Sequence, residues 1–186
     1  MQPKADIIAE VCAALSADGP LAAAKALQGK YAPVFRPLFR RRADQARALR
    51  VFMRDGFIDR YTGQRLIFPG VLRVLSLLLP RDFPFHPHWR TTETHPAFWE
   101  LSPTLDHVVP IAFGGADDES NLVTTSMLRN SAKANWTLEE LGWKLYPAGR
   151  YEDWDGLTAW FREYVAAHED CLRDRAIARW YRLARP

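Results

Sequence analysis

The sequence predicts an α+β fold, with a short strand pair set between mainly helical N- and C-terminal extensions. Three observations carry the prediction. Apolar residues recur at helical spacing near both ends: Ile7, Ile8, Val11, Cys12 and Leu15 at the start, and two helical stretches at 155–168 and 170–184. Leu105 to Val109 and Leu122 to Thr125 are short apolar runs separated by Gly114-Gly115 and the acidic Asp117-Asp118-Glu119. Residues 80–104 hold five prolines among aromatics, which argues for a loop with its own packing rather than a regular element.

Taken in order, residues 5–29 read as two helices broken at Asp18-Gly19-Pro20. Pro33 and Pro37 mark a connector, and a helical segment follows from Arg40, with Ala43, Ala46, Leu49, Arg50 and Met53 on one stripe. Tyr61-Thr62-Gly63-Gln64 reads as a hairpin turn between Ile58 and Leu66-Ile67-Phe68. Pro69 suits the first turn of a buried helix carrying Val71, Leu72, Val74, Leu75, Leu78 and Leu79. After the second strand, Thr125 or Ser126 can cap a helix through Met127, Asn130 and Lys133. The expected division is a helical region at 1–55, a core at 56–145 and a helical extension at 146–186.

Composition excludes several classes. Seven Trp, six Tyr and ten Phe exclude a disordered chain. Two cysteines exclude a disulfide scaffold and a four-cysteine zinc module. Asp6 and Glu10 interrupt what would be the apolar core of a signal peptide, and the run from Val71 to Leu79 is too short to span a bilayer. A soluble, cytoplasmic protein with no membrane partner is expected. The net charge is only +3, yet nine arginines and three acids fall between Arg36 and Arg65. Such a local basic field points to a polyanionic partner. Arg41, Arg42, Arg47 and Arg50 are therefore candidate phosphate contacts, and a solvated helix face is the alternative.

The stretch most suggestive of chemistry is residues 105–136. Asp106 and His107 are neighbours in a strand, so their side chains point to opposite faces unless the strand twists or bulges. Asn121 opens the return strand, and Asn130 and Lys133 share a face of the following helix. This order of Asp-His-Val-Val-Pro, Gly-Gly loop, Asn-Leu and helical Asn-x-x-Lys resembles the ββα-metal (His-Me finger) core of HNH endonucleases. The similarity is to the variant whose metal ligands are Asp and Asn, as in RNA-guided CRISPR nucleases. It is tight over about 35 residues and looser from Tyr61 to Leu79.

The resemblance implies Asp106 and Asn130 as ligands of one divalent ion, Mg²⁺ first and Mn²⁺ as the alternative, an oxygen donor pair suited to hard cations. It implies His107 as general base on the attacking water and Asn121 as the residue orienting it, by its side chain or the nearby backbone. Lys133, with Arg129 as a weaker candidate, would hold a phosphate, and the products would carry 5′-phosphate and 3′-hydroxyl ends. The implied partner is double-stranded DNA. Cutting both strands would require a homodimer or two successive events. Many relatives carry cysteine pairs binding structural zinc. None exists here, so no zinc is expected, and Leu66, Phe68, Leu75, Leu78, Phe98, Trp99 and Trp136 are expected to hold the core instead. The alternative function is a DNA-binding or assembly module that keeps the fold without cutting.

Other groups read more plainly. His86, His88 and His95 complete no zinc spacing and are expected to pack within their loop. Asp117, Asp118 and Glu119 read as a solvated turn. Trp154, Trp160 and Trp180 read as core or interface.

Overall fold

Two strands, β1 (Pro103–His107) and β2 (Leu122–Ser126), pair antiparallel with Asp106 opposite Val123 and His107 opposite Leu122. The computed structural model describes residues 3–28, 30 and 44–185, which fall into units spanning 1–40 and 41–186. In the first unit, α1 (Lys4–Asp18) and α2 (Pro20–Leu27) pack together, and Lys30 Nζ meets Glu10 at 2.6 Å. Arg41 and Arg42, and the start of the expected helix at Arg40, lie outside the described residues.

The strand pair belongs to the second unit. Every residue of β2 is buried, because α3 (Gln45–Arg54) and the later helix after β2 both pack on the hairpin. That explains why β2 lacks the alternation of a half-exposed strand. Its outer edge is closed by the segment after α3. Asp55 Oδ2 accepts from the Thr124 amide at 2.8 Å, Asp59 Oδ2 from the Ser126 amide at 2.9 Å, and the Thr124 carbonyl accepts from the Arg60 amide at 2.8 Å. Buried backbone groups left unpaired would cost about 1–3 kcal/mol each, so these bonds are what permits β2 to be an interior strand.

The expected hairpin at 58–68 reduces to one bridge, Ile58 with Arg65. Gly63 sits at φ +76° in its turn, a conformation that favours glycine. Pro69 opens α4 (Pro69–Leu78) as expected, but Leu78 and Leu79 end exposed. On α3 the buried residues are Leu49, Val51 and Phe52, while Arg50 and Met53 face outward. The expected stripe was therefore drawn too far round the helix: Phe52 and Val51, rather than Met53, meet the core. Asp44 caps α3 through the Ala46 and Arg47 amides.

The main core joins α3, α4 and the C-terminal helices α8 (Thr158–Ala167) and α9 (Arg175–Leu183) around Phe57, Phe68, Val74, Phe161, Ile177 and Trp180. Phe68 lies 5.0 Å from Phe161 and 5.2 Å from Trp180 between ring centres. The residues from 146 onward are thus part of one unit with the strands and not a separate extension. Leu66, Phe68 and Phe98 are buried as expected, Leu75 and Trp99 are partly buried, and Trp136 is exposed. Trp154 packs on the core and Trp160 stacks on Tyr164 at the surface.

The proline-rich segment packs on itself. His95 stacks on Phe83 with ring centres 4.1 Å apart, and Phe85 meets Phe98 of α5 (Ala97–Glu100) at 4.7 Å. After β2, α6 (Met127–Lys133) is capped by Ser126, whose Oγ accepts from the Arg129 amide. A short α7 (Leu138–Leu141) follows behind a Thr137–Glu140 capping box. Among the described residues no helix is long and apolar enough to cross a membrane.

Candidate active site at the end of the first strand

The last two residues of β1 engage different neighbours. Asp106 is 7% exposed, and its Oδ2 accepts from the Tyr61 hydroxyl at 2.6 Å and from Lys133 Nζ at 2.9 Å. Lys133 is fully buried on α6, and its ammonium also donates to the His107 carbonyl at 2.8 Å. Burial first, then the Asp106 charge and hydrogen bond, push the Tyr61 phenol far above its ordinary range, so it stays a donor. The Tyr61 amide is itself held by Asp59 Oδ1 at 2.9 Å, and this ties the strand end to the bonds that close β2.

His107 turns to the other side, as strand alternation demands. Its Nε2 lies 3.1 Å from Asp117 Oδ1. Arg47 of α3 reaches that same oxygen at 3.4 Å and the Asp117 carbonyl at 2.9 Å. The Asp117 carboxylate beside Nε2 favours the tautomer that carries its proton there. Asp117, expected as part of a solvated turn, is therefore a partner of the candidate base. Asp118 and Glu119 fit the expectation better: Asp118 caps the turn at Ser120, which lowers its carboxyl pKa, and Glu119 meets Arg50 at 2.8 Å on the surface.

Asn121 does not touch the imidazole. Its Oδ1 accepts from the Val109 amide at 2.9 Å, and its Nδ2 donates to the Val109 and Ala116 carbonyls, both at 2.9 Å. It fixes the chain two residues beyond His107. The loop is tight here: a Cβ on Gly115 would fall 1.8 Å from the Val109 oxygen. Asn130 donates Nδ2 to the Leu105 carbonyl at 3.3 Å, which leaves its amide oxygen as the remaining acceptor beside the strand.

The donor set fits a hard cation. Both contacts to Asp106 use Oδ2, so one anionic oxygen and the Asn130 amide oxygen remain as donors, with water completing the shell. Lys133 acts here as an internal counter-ion to Asp106. Contact with a phosphate would require it to leave both of its present acceptors. Among the described residues no group of three or more His, Cys, Asp or Glu is placed to hold a metal ion.

The arginines are arranged differently from a phosphate-gripping row. Arg47, Arg50 and Arg54 hold Asp117, Glu119 and the Glu119 and Leu122 carbonyls, so they brace the β1–β2 loop against α3. Arg129 remains exposed, its guanidinium 5.6 Å over the Trp143 ring. His86, His88 and His95 pack within their loop, where His86 Nδ1 accepts from the His88 amide. Sequence reasoning missed Tyr61, Asp59 and Asp117 as parts of the site. Only Tyr61 carried a signal, through its place in the upstream Tyr-Thr-Gly. Comparison of the chain with protein-family models, curated proteins and solved structures finds no match.

Proposed function

We propose that the protein is a metal-dependent endonuclease of the HNH type, hydrolysing phosphodiester bonds in DNA. The observation that carries this reading is the β1–loop–β2–α6 order, in which Asp106 and His107 end β1, Asn121 precedes β2, and Asn130 on α6 bonds the Leu105 carbonyl. On this reading the unit is a ββα-metal core. A divalent ion held by Asp106 and Asn130 supplies charge neutralisation at the phosphoryl group.

The chain's own residues do the rest. His107 takes the proton of the attacking water on Nδ1, while Asp117 holds Nε2–H and stabilises the imidazolium that forms. Water oxygen bonds to phosphorus as the bond to the 3′ oxygen breaks, and that oxygen leaves as a hydroxyl after protonation by solvent. Asn121 keeps the strand exit rigid, so the imidazole keeps its direction. The duplex is the proposed substrate, with Arg129 available at the surface and Lys133 once released.

One observation favours the alternative of a non-cleaving DNA-binding or assembly module: Lys133 satisfies Asp106 with no metal required. Plasmid incubated with Mg²⁺ or Mn²⁺ separates the two. The nuclease reading expects nicking that chelator stops, ends bearing 5′-phosphate, and none of it from His107→Ala. Equal absence of nicking from wild type and His107→Ala, across modified and unmodified DNA, favours the module.

A further inference from the structure

A chamber of about 620 Å³ adjoins His107 and Asp117 on the β1 face opposite Asp106. That volume lies in the range of small-molecule pockets, roughly 300–1,000 Å³. Its walls include five aromatic side chains: Phe52 from α3, Phe85 and Trp89 from the proline-rich segment, Phe98 from α5 and Trp180 from α9. We infer that this chamber receives a nucleobase unstacked from the nucleic acid strand under attack. The identity of the occupant rests on the nuclease reading, and the chamber itself does not.

Two features favour a flat heterocycle. First, both lining arginines are already paired. Arg47 and Arg73 line the chamber, but Arg47 is paired with Asp117 and Arg73 with Asp174. The ring faces suit stacking by any base. Second, the wall holds strain. Trp89 sits at φ +54°, a region that a bulky residue rarely enters. Its amide bonds to the His86 carbonyl at 2.8 Å, and its ring stands edge-on to Phe98 and Trp99. Strain of this kind persists where the surroundings impose a particular side-chain direction, here into the chamber wall.

The placement completes the argument. Leu105 and His107 line the chamber and Asp106 does not. A strand whose phosphate lies at the His107 imidazole therefore has an aromatic recess within reach of the neighbouring sugar. Extrusion costs a few kcal/mol of stacking and pairing, which contact with aromatic walls can offset.

The test uses the full-length protein and the four deoxynucleoside 5′-monophosphates, followed by saturation-transfer NMR without divalent ions. The expected result is saturation strongest on base protons and weaker on sugar protons. Ala48→Phe from α3 and Ala176→Phe from α9 fill the chamber from separate elements without deleting a ring. Whichever of the two folds, as judged by its melting curve, should lower affinity at least about tenfold. Absence of base saturation with wild type, or undiminished saturation in a folded filled variant, overturns the inference. Plasmid nicking by the same preparation keeps the readings apart. Nicking without base binding removes the chamber's role and leaves the nuclease. Base binding that the filled variants abolish supports the chamber even where no nicking occurs.

Discussion

Asp59 and Asp106 are both buried acids beside the same hairpin, and their surroundings differ in kind. Asp59 accepts from two backbone amides and a hydroxyl, those of Tyr61, Ser126 and Thr125, at 2.9, 2.9 and 3.0 Å, with both oxygens engaged. Its donors are fixed by local chain geometry, as are the arginines and the Thr124 amide on neighbouring Asp55. Asp106 instead gathers a phenol and an ammonium on one oxygen. Both partners stand on side chains, which can move, and the second oxygen remains for another ligand. A carboxylate saturated by main chain is built to stay as it is. One that keeps an oxygen outside its side-chain contacts is suited to take a further partner.

Predictions follow from that contrast, and the largest concerns the saturated acid. Asp59→Ala strands three buried donors at about 1–3 kcal/mol each, so urea denaturation should show a loss of at least about 3 kcal/mol. Added Mg²⁺ should not restore it. A loss under about 1 kcal/mol would erase the distinction.

His107→Ala probes the other side. The imidazole is partly exposed, so stability should change little while nicking falls about 10²–10⁴-fold, the usual worth of a general base. An unchanged rate would remove His107 from the chemistry.

The ability of Asp106 to exchange partners is measured by a double-mutant cycle. Asp106→Asn leaves Lys133 as a buried cation without its carboxylate, and Lys133→Met in that background should recover part of the lost stability. The expected coupling is about 0.5–3 kcal/mol. In parallel, Lys133→Met alone should raise Mn²⁺ affinity by calorimetry, because the competing cation is gone. Weaker Mn²⁺ binding would mean that Lys133 supports the ion rather than competing with it.

Asp117→Asn tests the tautomer argument. Losing the carboxylate on Nε2 should slow nicking about 10–100-fold, as for other partners that orient an active group. The smallest effect lies far from the strand end. Burial raises the Asp174 carboxyl, but the Ile177 amide and Arg73 outweigh it, so the net shift is downward. The stability it confers is therefore present above the ordinary carboxylate value and disappears as pH falls through the lowered one. Asp174→Ala should cost about 0.5–2 kcal/mol at neutral pH, mostly as a lost cap on α9, and should flatten the acid limb of the stability curve.

The strand pair, the Ser126 cap, the Pro69 helix and the break at Gly19 were legible because each follows from local rules of turn, cap and period. The neighbours of the site were not. Asp117 lies ten residues from His107 and Tyr61 lies 45 from Asp106, and nothing in their local spacing announces the meeting. The partners of the arginines were hidden for a related reason. Composition records that Arg47, Arg50 and Arg54 are clustered but not that Asp117, Glu119 and two carbonyls face them across the fold. The face of α3 was misjudged because a ten-residue helix offers few repeats, and Phe52 outweighs Met53 in what it can bury.

The three bonds of Asn121 bear on how the chain could be rearranged. They tie Val109 to Ala116 from behind, so the segment between them is an excursion anchored at both feet. Asp117 lies beyond the second anchor and is held independently by Arg47. Cleaving the chain beside Gly114, which sits at φ +84° with open space around it, leaves each foot in place. A chain cut there should therefore keep the His107–Asp117 pair, although the two residues would then stand on separate pieces.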